Sequence, residues 1–266
     1  MVRMDADVCI FLSAPEDKDE TARLSRVING LACDTYDVLV VLAIPDSWHP
    51  LMDSLGVLPE EILRKMAVAF EHSDGVFKMF SMLSELHKER KIRICAIDPT
   101  AEDYALSKEI EAIDLRMSRS LERLDQAKTG EEYLSAYINW LLAAAVRQDI
   151  TGNAVLNETE RILDRNCGSP VLLYTGALNA ACLMSALPRG SAVLVRDIPE
   201  GSVVPEGDKI SEETVLMHRA MSAALSPKHD IRTMLDLMLQ VGTERMAEMA
   251  KNEVNAAASQ KSKSPC

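Results

Sequence analysis

Three carboxylates stand where an α/β protein concentrates its chemistry. Glu16 follows the apolar stretch "DVCIFL" (7–12), Asp46 follows "DVLVVLAI" (37–44) and Asp98 follows "KIRICAI" (91–97). Carboxyl groups that converge either share a proton, which raises one pKa, or hold a cation such as Mg²⁺ or Mn²⁺. Both arrangements serve hydrolysis, through a base that activates water or a metal that acidifies it. Glu16, Asp46 and Asp98 are therefore the candidate catalytic residues, with Mg²⁺ or Mn²⁺ as the cofactor such a set would take. A structural reading competes: each sits where an acidic group caps a helix N-terminus and meets its dipole.

Other side chains are candidates for ligand contact. His49, beside Trp48, is the one histidine of five near a strand end. No histidine pair has zinc spacing. In "VLLYTGALNAACLMSAL" (171–187) a strand pattern breaks at Gly176 and resumes as a helix pattern. Gly176 permits a sharp turn there, and Asn179 would face what lies beyond the strand. Asn hydrogen-bonds a ligand but is no base near neutral pH. The phosphate-cradling patterns G-x-x-x-x-G-K-[ST] and G-x-G-x-x-G are absent, as is the G-x-S-x-G nucleophile elbow.

The elements that would position these groups read as an α/β fold. Five runs are continuously apolar in their middles: the three above, "PVLLYT" (170–175) and "AVLVRD" (192–197). That pattern suits a parallel sheet covered on both faces, with right-handed crossovers. Helical patterns fill the gaps. "PEEILRKMAVAF" places Ile62, Leu63, Met66, Ala67 and Phe70 on one face, and "FKMFSMLSELHKER" does so with Phe77, Phe80, Leu83 and Leu86. Ligands of such sheets bind beyond the carboxyl ends of the strands.

Residues 100–166 separate the third and fourth strands by more than one crossover helix. Leu106, Ile110, Ile113, Met117, Leu121 and Leu124 predict one helix, "EEYLSAYINWLLAAAV" a second and "NETERILDRN" a third. The expected fold is thus a central, mostly parallel sheet flanked by helices, with a helical insertion between the third and fourth strands. A single α/β domain is expected over 1–257, with the insertion at about 100–166 and a disordered tail over 258–266. The Pro- and Gly-rich "PEGSVVPEGDK" reads as a loop before two last helices, the second capped by Asp230.

The 266 residues are 47% apolar and carry a formal charge of −12. Such acidity disfavours nucleic acid and anionic membrane surfaces as partners. Six scattered cysteines without C-x-x-C read as reduced thiols. With no secretory leader and no apolar run long enough for a bilayer, the expected location is cytoplasmic. A protein delivered into another cell would carry the same marks.

The order of these pieces resembles the superfamily of erythromycin-esterase-like, TIKI, TraB and ChaN-like proteins. The likeness spans roughly residues 7–200. It rests on layout and on "FKMFSMLSELHKERKIRICAIDP", a helix and a strand ending in Asp98, followed by the helical region and "PVLLYTGALNAACLMSAL". Members of that superfamily carry Gly-Glu-x-His after the first strand, Glu after the second, an Arg in the helix ahead of the last motif and Gly-x-x-His after its strand. This chain has "SAPED" at the first place, Asp46 near the second, Arg147 near the third and Gly176-Ala177-Leu178-Asn179 at the last. The resemblance thus implies the fold, and the missing histidines remove the family's usual hydrolysis. Three readings follow. The first is a non-hydrolytic binding or effector-type protein for a small molecule or a protein partner. The second is a hydrolase built on the strand-end carboxylates, with or without a divalent metal. The third is a structural module that pairs with another copy of itself.

Overall fold

The computed structural model describes residues 7–14, 17–32, 38–42, 58–68, 73–89, 91–96, 104–165, 170–199, 202, 204–226 and 240. The elements are β1 (Val8–Leu12), α1 (Glu20–Leu31), β2 (Val38–Leu42), α2 (Glu60–Ala67), α3 (Ser73–Lys88) and β3 (Ile92–Ala96). Then come α4 (Tyr104–Gln126), α5 (Gly130–Arg165), β4 (Val171–Thr175), α6 (Ala177–Ala186), β5 (Ala192–Asp197), β6 (Glu206–Gly207) and α7 (Glu212–Leu225). All five expected strands are present. They form an α/β sheet of order β3-β2-β4-β1-β5-β6, with β1 to β5 mutually parallel and β6 antiparallel to β5. The short β6 lies in "PEGSVVPEGDK", which reads as a loop because two residues carry no periodicity.

Alternation along the strands builds two cores, one on each face. Cys9, Phe11, Val38, Val40, Ile92, Ile94 and Leu172 pack with Leu24, Val27 and Ile28 of α1 and with Phe80 and Leu83 of α3. Val8, Ile10, Val171 and Leu173 point the other way, toward Ala180 and Leu183 of α6 and Val155 of α5. Both faces are apolar because both are covered, which explains the continuous apolar runs. Gly30 of α1 lets that helix approach the chain leaving β5: a Cβ there would stand 2.7 Å from Ile198 Cδ1. Ahead of β5, Gly190 (φ +88°) completes a turn in which the Ser191 N–H donates to the Pro188 carbonyl at 3.1 Å.

Among the described residues, two helices, not three, separate β3 from β4. The second and third expected helices are one: α5 runs unbroken for 36 residues through the stretch between them. The chain forms two compact units. One comprises residues 1–104 and 151–210 and holds the sheet; the other comprises 105–150 and 211–266. Within the helical unit, Leu141, Ala144 and Ala145 of α5 and Ala220 and Met221 of α7 are buried. Tyr133, Tyr137 and Trp140 stack along α5 with ring centroids 6.2 and 5.8 Å apart. Leu121, placed by its spacing on the apolar stripe of α4, is instead exposed, as is Leu115. The helix expected after Asp230, apart from residue 240, the tail over 258–266, Met66 as a side chain and Phe70 lie outside the described residues. Among the described residues, no helix is long and apolar enough to cross a membrane.

Candidate functional site

The strand order fixes where a cleft should open. β1 and β4 are neighbours, yet the chain leaves β1 for β2 through α1 and leaves β4 for β5 through α6. Helix α1 packs on one face and α6 on the other. At such a switch point the helices diverge and a crevice forms beyond the carboxyl ends of the two strands.

Polar side chains from three elements meet at that place. The β1/β4 ladder continues one residue past Leu12, where the Ser13 N–H donates to the Thr175 carbonyl at 2.9 Å. The Ser13 hydroxyl donates to Tyr174 Oη at 2.9 Å, and Tyr174 Oη donates to Glu20 Oε1 at 3.0 Å. The same Glu20 oxygen accepts the Ala14 N–H at 2.6 Å. Glu20 is only 7% exposed although it opens α1. Burial raises its pKa above the ordinary 4.5, against the lowering effect of these hydrogen bonds and of Arg23. Burial also pushes the Tyr174 phenol upward, so it remains a proton donor. Its ring stacks on Phe11, with centroids 6.2 Å apart.

A second layer of charge surrounds this set. Arg23 pairs with Asp17 at 2.6 Å, and its Nε is buried without a hydrogen-bond partner. That pairing and the Asp19 N–H hold Asp17 below the usual carboxylate range. Arg26 grips Asp197, at the end of β5, through two bonds of 2.8 and 2.6 Å, and the Asp197 pKa falls for the same reason.

Two of the sequence-predicted residues also lie here. Gly176 precedes α6 with extended backbone (φ −69°, ψ 158°), and a Cβ would meet nothing within 4 Å. The expected sharp turn therefore makes no demand for glycine; what Gly176 marks is open space. Asn179, in the first turn of α6, donates to the buried Thr175 hydroxyl at 3.3 Å. Arg147 belongs to the helical unit, where it binds Asp114 of α4 at 2.6 Å. Glu16, Asp46, His49 and Asp98 lie outside the described residues. Among the described residues, no group of three or more His, Cys, Asp or Glu is placed to hold a metal ion.

Ser13, Tyr174 and Glu20 carry the described site, and little in the sequence marks them out. Tyr174 sits in an apolar strand and reads as core, although a buried tyrosine needs a partner for its hydroxyl. Glu20 is one of several acidic residues before a helix and looks like any dipole partner. An open cleft of about 750 Å³ also occurs within the helical unit, lined by Arg123, Lys128, Glu131, Glu132 and Asn139. Its carboxylates Glu131 and Glu132 are exposed to water, unlike Glu20. No family model, curated protein or solved structure matches the chain.

Proposed function

We propose that the chain is a small-molecule-binding protein on a frame that resembles the erythromycin-esterase-like, TIKI, TraB and ChaN-like superfamily, without that family's histidine-dependent hydrolysis. The observation that carries this reading is the β1/β4 switch point, with Ser13, Tyr174 and Glu20 at its mouth and open space at Gly176. Hydroxyl groups at a strand-end crevice fix a ligand's orientation, as polar groups do in small-molecule sites. Asn179, placed where the resemblance calls for a histidine, offers an amide and no base.

Backbone amide NMR shifts, followed while a fragment library is added to the full chain, test this. The expected shifts cluster at Ser13, Ala14 and Thr175–Asn179. Fragments that consistently move amides elsewhere and leave these still would overturn the reading.

A further inference from the structure

The three side chains at the switch point form a directed chain of proton donors: Ser13 hydroxyl to Tyr174 phenol to Glu20 carboxylate. We propose that Ser13 is an acyl-accepting nucleophile, so that the ligand class of the cleft is an activated acyl compound, an ester or thioester. This rests on the strand-end reading above and deepens it to covalent capture.

The geometry supports each part. Ser13, Tyr174 and Glu20 come from the end of β1, from β4 and from the start of α1, and lie 161 and 154 residues apart in the two pairs. Tyr174 needs only Glu20 to satisfy its hydroxyl proton; the Ser13 hydroxyl adds a second link that leads outward. Ser13 is half-buried, whereas Glu20 is buried, so the chain runs from the cleft inward. The Ser13 N–H bond to the Thr175 carbonyl sets Ser13 abreast of Gly176. There, apart from the adjoining residues of the chain, no heavy atom stands within 4 Å of where a Cβ would be. Helix α6 starts at that point with no side-chain cap, so its leading N–H groups are suited to an oxyanion. Burial strengthens Glu20 as a proton acceptor and keeps Tyr174 neutral, so the phenol relays a proton and never holds the negative charge. Arg23 and Asp17, the charged groups acting on Glu20, oppose each other.

The step balances without another reagent. The Ser13 Oγ forms a bond to the acyl carbon, and the carbonyl π pair moves to its oxygen. The Ser13 proton passes to Tyr174 Oη as the Tyr174 proton passes to Glu20. When the carbonyl re-forms, the bond to the leaving group breaks. The alcohol or thiol leaves with the proton returned from Glu20 through Tyr174. The products are acyl-Ser13 and the free alcohol or thiol, with Glu20 again a carboxylate.

The test is 4-nitrophenyl acetate on the full chain, with acetylation located by peptide mass mapping and folding checked by circular dichroism. One acetyl group is expected on Ser13, and none there in Ser13→Ala. Tyr174→Phe and Glu20→Gln should slow Ser13 acetylation by about 100-fold, the scale of general-base assistance. The rate should rise as Glu20 loses its proton, and Glu20→Gln should remove that inflection, a loss that a merely structural Glu20 would not produce. A folded protein without acetyl-Ser13, or unchanged rates in both relay variants, overturns the proposal. Fragment-induced shifts at Thr175–Asn179 in Ser13→Ala separate the outcomes. Shifts without acetylation overturn the covalent step alone, and the absence of both overturns the cleft reading with it.

Discussion

Two glycines of the sheet unit make opposite demands at the scale of single residues. Gly30 is a packing residue: an added Cβ would stand 2.7 Å from Ile198 Cδ1 and 3.0 Å from its Cγ2. Overpacking costs about 1–3 kcal/mol, and alanine returns about 1 kcal/mol of helix propensity. Gly30→Ala should therefore lose about 1 kcal/mol, seen as a melting point lower by about 2–4 °C. Gly176→Ala should stay within about 0.5 kcal/mol, since its backbone is ordinary and its surroundings are open. The sequence pointed to Gly176 because it interrupts a pattern. Nothing local distinguishes Gly30, whose role comes from a residue 168 positions away (198 − 30). Tyr174 and Glu20 were hidden in the same way, since each acquires its chemistry from a partner on another element.

Helix α3 shows what periodicity alone can specify at the scale of elements. Phe80, Leu83 and Leu86 are buried as their spacing requires, while Lys78 on the opposite face is exposed. Phe80→Ala should cost about 3–5 kcal/mol, a large part of a domain's stability, whereas Lys78→Ala should cost less than about 0.5 kcal/mol. Urea unfolding curves would check both. Helix α5 shows the limit of the same reasoning. Two separate apolar patterns were expected there, yet Gly152 between them does not interrupt the helix, since one glycine inside a helix costs only about 1 kcal/mol against alanine. Burial of Val155 and Thr159 just beyond it favours continuation, and the Thr159 hydroxyl is satisfied by the Val155 carbonyl at 2.7 Å.

For the whole molecule, the titrating groups at the strand ends act in opposite senses. Glu20 has a raised pKa, so the folded state takes up its proton before the unfolded state does. Its contribution to stability should increase as pH falls through the folded pKa, until the unfolded value near 4.5 is passed. Asp17 and Asp197 have lowered pKa values, and the stability from their arginine pairs is present above about 3.8 and lost as pH falls further. Melting temperature should thus rise from pH 7 toward the ordinary Glu value and fall below the ordinary Asp value. Glu20→Gln keeps an acceptor for the Ala14 N–H and Tyr174 hydroxyl, so it should flatten the rising limb and leave the acid limb intact. A rising limb unchanged in Glu20→Gln would assign it to other groups.

The sequence by itself determined the class of fold, because covered parallel strands must be apolar on both faces and amphipathic helices must not be. It located all five parallel strands and three helices that flank them, α2, α3 and α6. Tertiary structure alone decided the strand order β3-β2-β4-β1-β5-β6, since an apolar strand carries no mark of its neighbours. That order places β1 beside β4 and brings Ser13, Tyr174 and Glu20 within hydrogen-bonding distance. The chemistry of the site follows from this adjacency: a serine, a tyrosine and a glutamate become a chain only when the sheet aligns them and burial shifts the carboxyl's affinity for its proton.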